Sequence, residues 1–337
     1  MKSVVCEKPR RLKIEERDLP GVRLGEALVR VRRVGICGTD LHAFKGEQPY
    51  FSYPRVLGHE ISGEMADVEK NSYGLKQGDR VAVIPYLECG KCIACRMGKT
   101  NCCTRLHLFG IQRDGGMSEY LTVPLDHLIK SETLNFDQLA MAECLSIGYH
   151  AVRRARIEKG ELALIVGAGP IGMAIIQSAK EAGAKVMVMD IVEERLKFCR
   201  EKLKVDYIIH GEGNPVKEIE SITDGDYPTL VFDATGNAKS MERSFNLVAH
   251  GGRYVLVSLV QDNITFFDPD FHRRELALLS SRNATRQDME HIVRSLEAGK
   301  VDGTSFITHR ASLDQVISQF ESWLRPETGV IKAIVEL

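Results

Sequence analysis

The run LALIVGAGPIGMAIIQSAKEAGAKVMVMD, residues 162–190, decides how this chain folds. Leu162–Val166 is a short apolar run of the kind that a fully buried strand needs. It ends in Gly167-Ala-Gly169-Pro-Ile-Gly172, which matches G-x-G-x-x-G, and a helical stretch follows from Ile171 to Ala182. Lys185–Asp190 then predicts a second strand. Glycine clusters mark many turns, but a strand entering and a helix leaving is the setting in which this motif binds a dinucleotide. Gly167 permits the tight turn, Gly169 lets backbone approach a pyrophosphate, and Gly172 lets helix and strand pack closely. Pro170 and Ile171 open the helix whose N-terminus faces the phosphate charge. Asp190 closes the second strand, 18 residues after Gly172. A carboxylate there accepts hydrogen bonds from ribose hydroxyls and repels a 2′-phosphate, so the reading is NAD rather than NADP. Arg195 is a candidate neighbour of the adenine, with a solvated helix residue as the alternative.

Outward from this unit the alternation continues. Glu193–Leu203 predicts a helix, and Tyr207–Ile209, Leu230–Asp233 and Arg253–Leu259 predict strands. Such alternation specifies an α/β, doubly wound parallel sheet of Rossmann type. The N-terminal part reads differently. Short β-like runs at Ala27–Val34, Ile61–Val68 and Arg80–Pro85, punctuated by turns such as Gln77-Gly78-Asp79, predict a β-rich domain with long loops. Near the C-terminus, Thr285 with Asp288 predicts a capping box for a helix to Ala298. Ser312 with Gln315 predicts another, for a helix burying Val316, Phe320, Trp323 and Leu324. Val330–Val335 alternates enough to predict a closing strand. The expected division is a β-rich domain over 1–148, completed by 283–337, with the nucleotide domain inserted at 149–282.

With 337 residues, 44% apolar and 27% charged, two soluble globular domains are expected. The net charge of −1 offers no excess positive field for nucleic acid. No run reaches the ~20 apolar residues that span a bilayer, and the N-terminal MKSVVCEKPRRLKI lacks the pattern of a secretory leader. A cytoplasmic protein without nucleic-acid or membrane partners is expected.

Of nine cysteines, five fall within residues 89–103, and Cys89-Gly-Lys-Cys92-Ile-Ala-Cys95 with Cys103 offers four ligands. Crowding of this kind points to metal ligation under reducing conditions. A closed tetrahedral zinc site needs four soft ligands, and one short loop can wrap the ion. An iron–sulfur cluster is the nearest rival, although the fourth cysteine comes late and no proline follows it. Disulfides are a further alternative, and Cys102 competes with Cys103 as fourth ligand. Four thiolates leave no open position for substrate, so chemistry must occur elsewhere. Cys37, His59 and Glu60 offer the mixed donors that a catalytic zinc wants.

Ordered blocks along the whole chain make the sequence resemble the medium-chain zinc alcohol dehydrogenases. They are Gly35-Ile-Cys37-Gly-Thr-Asp, Gly58-His59-Glu60, the four-cysteine lobe, Gly115-Gly116-Met-Ser-Glu-Tyr120, Gly167–Gly172 and Phe232-Asp-Ala-Thr-Gly236. The resemblance implies a GroES-like catalytic domain joined to the Rossmann domain, with two zincs per chain, one catalytic and one structural. Thr235, Gly236 and Ser258 fall at cofactor positions, Ser258 replacing a common family glycine. Within the family the chain is similar to the polyol and sugar-acid branch, which includes sorbitol dehydrogenase. Glu143 carries over as a further carboxylate at the catalytic zinc, binding directly or through water. Cys144 stands where that branch has proline, and Gly38 where some relatives have an arginine. Thr39 matches the family's relay hydroxyl, and His42 would pass the proton to solvent.

The implied reaction is hydride transfer from a secondary hydroxyl to NAD, with zinc as Lewis acid. Arg282 and Asn283 follow a predicted strand at Leu276–Ser281, where relatives place a substrate-facing arginine, and Arg113 adds charge. A guanidinium holds a carboxylate bidentately. The expected substrate is therefore a sugar acid such as L-galactonate or L-gulonate, with threonine or a neutral polyol as alternatives. The resemblance also implies a homodimer or homotetramer. A metal-free NAD-binding sensor or quinone reductase would lack the cysteine lobe, and a nucleic-acid-binding zinc ribbon would want a basic face.

Overall fold

The computed structural model describes residues 1–337. The chain forms two compact units, one of residues 1–144 and 284–337, the other of residues 145–283. The expected boundaries lay at 148/149 and 282/283. The first division falls inside one continuous helix, Phe136–Ala155, which explains why no linker composition marks it. No helix is long and apolar enough to cross a membrane.

The inserted unit carries six parallel strands. In spatial order they are Tyr207–His210, Lys185–Asp190, Leu162–Val166, Leu230–Asp233, Arg253–Leu256 and Ala277–Ser280. Numbered along the chain this is 3-2-1-4-5-6, the doubly wound order. Leu164, Met187, Val231 and Tyr254 lie in its core. The strand expected over Arg253–Leu259 ends at Leu256, so Ser258 belongs to the following loop, where the chain reaches the strand ends at which such sheets bind ligands.

The flanking unit is β-rich. Its main sheet runs Leu128–Lys130, Arg80–Val83, Glu60–Val68, Glu26–Ile36, Lys332–Glu336 and Ile307–Ser312, and Tyr120–Pro124 also pairs with Glu26–Ile36. Smaller sheets join Arg11–Glu16, Lys2–Lys8 and Arg55–Val56, and Tyr86–Leu87 with His107–Leu108. Two sequence expectations need correction. The closing strand does not alternate: Lys332, Ala333, Ile334 and Val335 are all buried, because the strand lies between two others and is covered on both faces. The Ser312/Gln315 hydrogen bonds do form, but the helix they precede covers only Val316–Phe320 before tightening to a 3₁₀ turn at Ser322–Leu324. The Thr285/Asp288 capping box opens the helix Arg286–Glu297 as expected.

Candidate active site

The cysteine lobe is the simpler cluster. One ligand atom each from Cys89, Cys92, Cys95 and Cys103 lies within 4.8 Å of the others. Cys103 is buried and its sulfur accepts the backbone N–H groups of Cys89 and Arg105 at 3.3 Å each, whereas Cys102 is exposed. Geometry thus assigns the fourth position to Cys103. Backbone N–H groups of Lys91 and Cys92 lower the Cys89 thiol to about 7, and those of Cys95 and Thr104 lower Cys92 to about 5. Burial and the neighbouring thiols push Cys95 up to about 12. Backbone dipoles therefore favour thiolates, but only a cation would let all four sulfurs ionise together. That donor set fits a closed zinc site.

The second cluster joins Cys37, His59 and Glu60, whose ligand atoms again lie within 4.8 Å of one another. Cys37 caps the helix Gly38–Lys45. His59 and Glu60 sit where the chain enters the strand Glu60–Val68, with Glu60 paired to Gly35. Gly35 is required here, because a Cβ would come within 2.0 Å of Glu60 Oε2. His59 and Glu60 are buried. Asp40, from the quoted Gly35–Asp40 block but given no role in the sequence reading, is fully buried behind His59. It accepts the Cys37 and Gly58 N–H groups at 3.0 and 2.9 Å, and its Oδ1 lies 3.7 Å from His59 Nδ1. Burial works against protonating His59, but Asp40, Cys37 and Glu143 together raise it well above its ordinary value. His59 Nδ1 itself makes no hydrogen bond. A thiol, an imidazole and a carboxylate converging here fit the mixed donor set of a catalytic zinc, with the Asp40 carboxylate behind its histidine.

Four more buried side chains surround this cluster, and two of them, Tyr86 and Lys332, escaped the sequence reading. Tyr86 donates its phenolic hydrogen to Glu143 Oε1. Burial, then Glu143 itself, holds the Tyr86 hydroxyl far above its usual range. Burial raises Glu143 to about 6, with His59 pulling against it. Lys332 is 1% exposed, and its Nζ lies 2.5 and 2.8 Å from the two oxygens of Glu60 and 3.2 Å from the Ile36 carbonyl. Cys144 is fully buried beside these groups, and burial pushes its thiol well up, as an inert packing residue requires. A lysine inside an apolar strand was the available signal for Lys332. Tyr86 had none beyond its place before the cysteine lobe.

In the inserted unit the glycine turn has the geometry its sequence demands. Gly167 has φ +95°, and a Cβ on Gly172 would approach the Gly167 carbonyl oxygen to 1.8 Å. Gly169 caps the helix Pro170–Glu181, with Pro170 in its first turn, and a Cβ there would meet no protein atom within 4 Å. That open side above a helix N-terminus fits a pyrophosphate. Asp190 ends its strand and accepts the Ala168 and Val192 N–H groups at 2.5 and 2.8 Å. Thr235 bonds Asp233 through backbone and hydroxyl, and Gly236 lies beside Ser258. Arg195 is half-buried on the helix Glu193–Glu201.

The remaining predicted residues are more exposed. Thr39 is half-buried in the first turn of the helix Gly38–Lys45, and His42 is exposed with its Nδ1 3.1 Å from Glu47. Arg113 and Arg282 are exposed, and Asn283 is half-buried with φ +52° at the division between the units.

Comparison with known proteins agrees with this geometry. Residues 23–133 match the alcohol dehydrogenase GroES-like domain, and residues 170–298 match the zinc-binding dehydrogenase domain. The L-galactonate-5-dehydrogenase of Escherichia coli K12 is 39% identical over 335 residues, covering 99% of this chain and 98% of the relative. The sorbitol dehydrogenase of Bacillus subtilis is 30% identical over 346 residues, covering 99% and 97%. Among solved structures, an alcohol dehydrogenase of Escherichia coli CFT073 complexed with NADH superposes with a TM-score of 0.92 at 31% identity, covering 100% and 99% of the two chains. Fold and site together define an NAD(P)-dependent zinc oxidoreductase. The chain belongs to the zinc-binding alcohol dehydrogenase family, in its sugar dehydrogenase branch.

Proposed function

We propose that this protein oxidises a secondary hydroxyl of a sugar acid, L-galactonate or a close relative such as L-gulonate, with NAD as acceptor. The observation that carries this reading is the convergence of half-buried Cys37 with buried His59 and Glu60 in a chain that resembles an L-galactonate-5-dehydrogenase from end to end. Bound among Cys37, His59 and a carboxylate from Glu60 or Glu143, zinc would supply a Lewis acid that makes an alcohol hydroxyl more acidic, and NAD would accept the hydride.

This chain's own residues do the rest. Asp40 places a carboxylate 3.7 Å behind the ring of His59, and Tyr86 fixes the carboxylate of Glu143 by a hydrogen bond. Thr39 receives the proton leaving the substrate hydroxyl, and His42, exposed to water, delivers it to solvent. The glycines at 167, 169 and 172 accommodate the pyrophosphate, and the Asp190 carboxylate favours NAD over NADP. Arg282 and Arg113 are the guanidinium candidates for a substrate carboxylate.

The test is NAD reduction by the zinc-loaded protein with L-galactonate, L-gulonate, sorbitol and L-threonine in parallel. Turnover of the aldonates at a kcat/KM at least about tenfold above sorbitol and threonine supports the reading. Preference for sorbitol or threonine replaces it with the corresponding alternative.

A further inference from the structure

The catalytic cluster contains a cation that belongs to the protein. Lys332 is buried, and its three ammonium hydrogens have three acceptors: both oxygens of Glu60 and the Ile36 carbonyl. Its place is set by sheet register, since Ala333 pairs with Ile36 one residue from Cys37, and Glu60 pairs with Gly35 on the other side of the same strand. Gly35 has no Cβ, so the Glu60 carboxylate can lie across it within reach of both Lys332 and the ligand atoms of Cys37 and His59. Lys332 thus engages both oxygens of the one carboxylate in the Cys37/His59/Glu60 cluster.

We propose that Lys332 is a positioning residue that weakens Glu60 as a ligand of the catalytic metal, keeping one coordination position exchangeable. This rests on the reading of Cys37, His59 and Glu60 as the catalytic zinc site. A thiolate and two carboxylates would overcompensate a dication, and a fixed ammonium offsets one of those charges. With its oxygens shared, Glu60 donates less to the metal, which stays a stronger Lewis acid and can accept a substrate oxygen. Tyr86 engages Glu143 in a comparable manner, so each carboxylate at the site has a partner of its own.

The experiment measures zinc release without substrate. Full-length zinc-loaded protein is mixed with pyridine-2,6-dicarboxylate, and the release of each of the two zincs is followed with a chromogenic indicator. In Lys332→Met, Glu60 is freed for the metal, and the catalytic zinc should leave about tenfold more slowly while the cysteine-lobe zinc leaves at its usual rate. The cobalt-substituted variant should also show a changed d–d absorption band. Lys332→Arg restores a bidentate grip on Glu60, so its catalytic zinc should leave at least as fast as from the unmodified protein. In Lys332→Met/Glu60→Gln the slowing should disappear. Unchanged or faster release in Lys332→Met overturns the proposal, as does slowing that persists in the double variant. If Lys332→Met does not fold, slower release from Lys332→Arg overturns it, and release as fast or faster supports it. If the unmodified protein binds only one zinc, the catalytic-site reading falls with it, whereas failure of the aldonate assay alone leaves Lys332 untouched.

Discussion

The cysteine lobe draws its four sulfurs from one loop, Cys89 to Cys103, and satisfies them with the loop's own backbone N–H groups. The Cys37/His59/Glu60 cluster is assembled otherwise. Its donors come from a helix start and a strand start, and its supports from Asp40 in that helix and from the distant residues Tyr86, Glu143 and Lys332. Three of the four lobe cysteines are half-buried, while His59, Glu60, Asp40 and Lys332 are buried. A site that only has to hold an ion can be local and self-contained. A site that must leave a position open needs partners that restrain its ligands, and these can come only from the folded sheet.

That contrast ranks the expected effects of substitution on turnover. His59→Ala should lower kcat by about a thousandfold or more, with zinc content falling to one per chain and the fold retained. Full activity with one zinc would break the comparison at its centre. Thr39→Val should lower kcat about a hundredfold with zinc content unchanged; persistence of activity with an unaltered pH profile would remove Thr39 from the proton path. Tyr86→Phe deletes the hydrogen bond to Glu143 and should cost roughly tenfold in kcat, again with both zincs present.

Cys92→Ser should cost a further zinc but only a few-fold in turnover. Its main effect should be faster trypsin cleavage at Lys91, Arg96 or Lys99 than in the unmodified protein, and loss of activity as large as in His59→Ala would make the two clusters equivalent. The smallest effect concerns Asp137, which starts the helix bearing Glu143 and pairs with Arg33 and Arg310 at 2.8 and 2.6 Å. Burial works to raise its carboxyl, but Arg310 and Arg33 prevail and hold it below the usual value. Its contribution is therefore complete above the unfolded value near 3.9 and is lost as pH falls through the lower folded one. Asp137→Asn should cost about 1 kcal/mol at pH 7, with the difference in thermal midpoint vanishing under strong acid.

The same contrast explains what could be read from sequence. The lobe and the glycine turn are local, so spacing places all their residues except the fourth cysteine. The strand–helix alternation of the inserted unit was legible for the same reason. The catalytic donors became visible only through ordered blocks, because Cys37 and His59 meet through a strand pairing that no local pattern encodes. Lys332 lay in a strand read as alternating, since the sequence does not say that both of its faces are buried. Tyr86 and Asp40 act through partners 57 and 18 residues away in the chain. Cys102 and Cys103 are adjacent, and only folding decides which turns inward.

The position of Lys332 also bears on the order in which the protein is made. The lysine is translated 272 residues after the glutamate it neutralises, and its strand fills a central place in a sheet whose other parts emerge early. The inserted unit, one continuous segment, has every strand of its sheet before residue 284 and can mature on the ribosome. The flanking unit must wait for its last strand. Until then Glu60 lacks its ammonium partner, so the charge balance of the cluster is completed only when the strand Lys332–Glu336 joins the sheet.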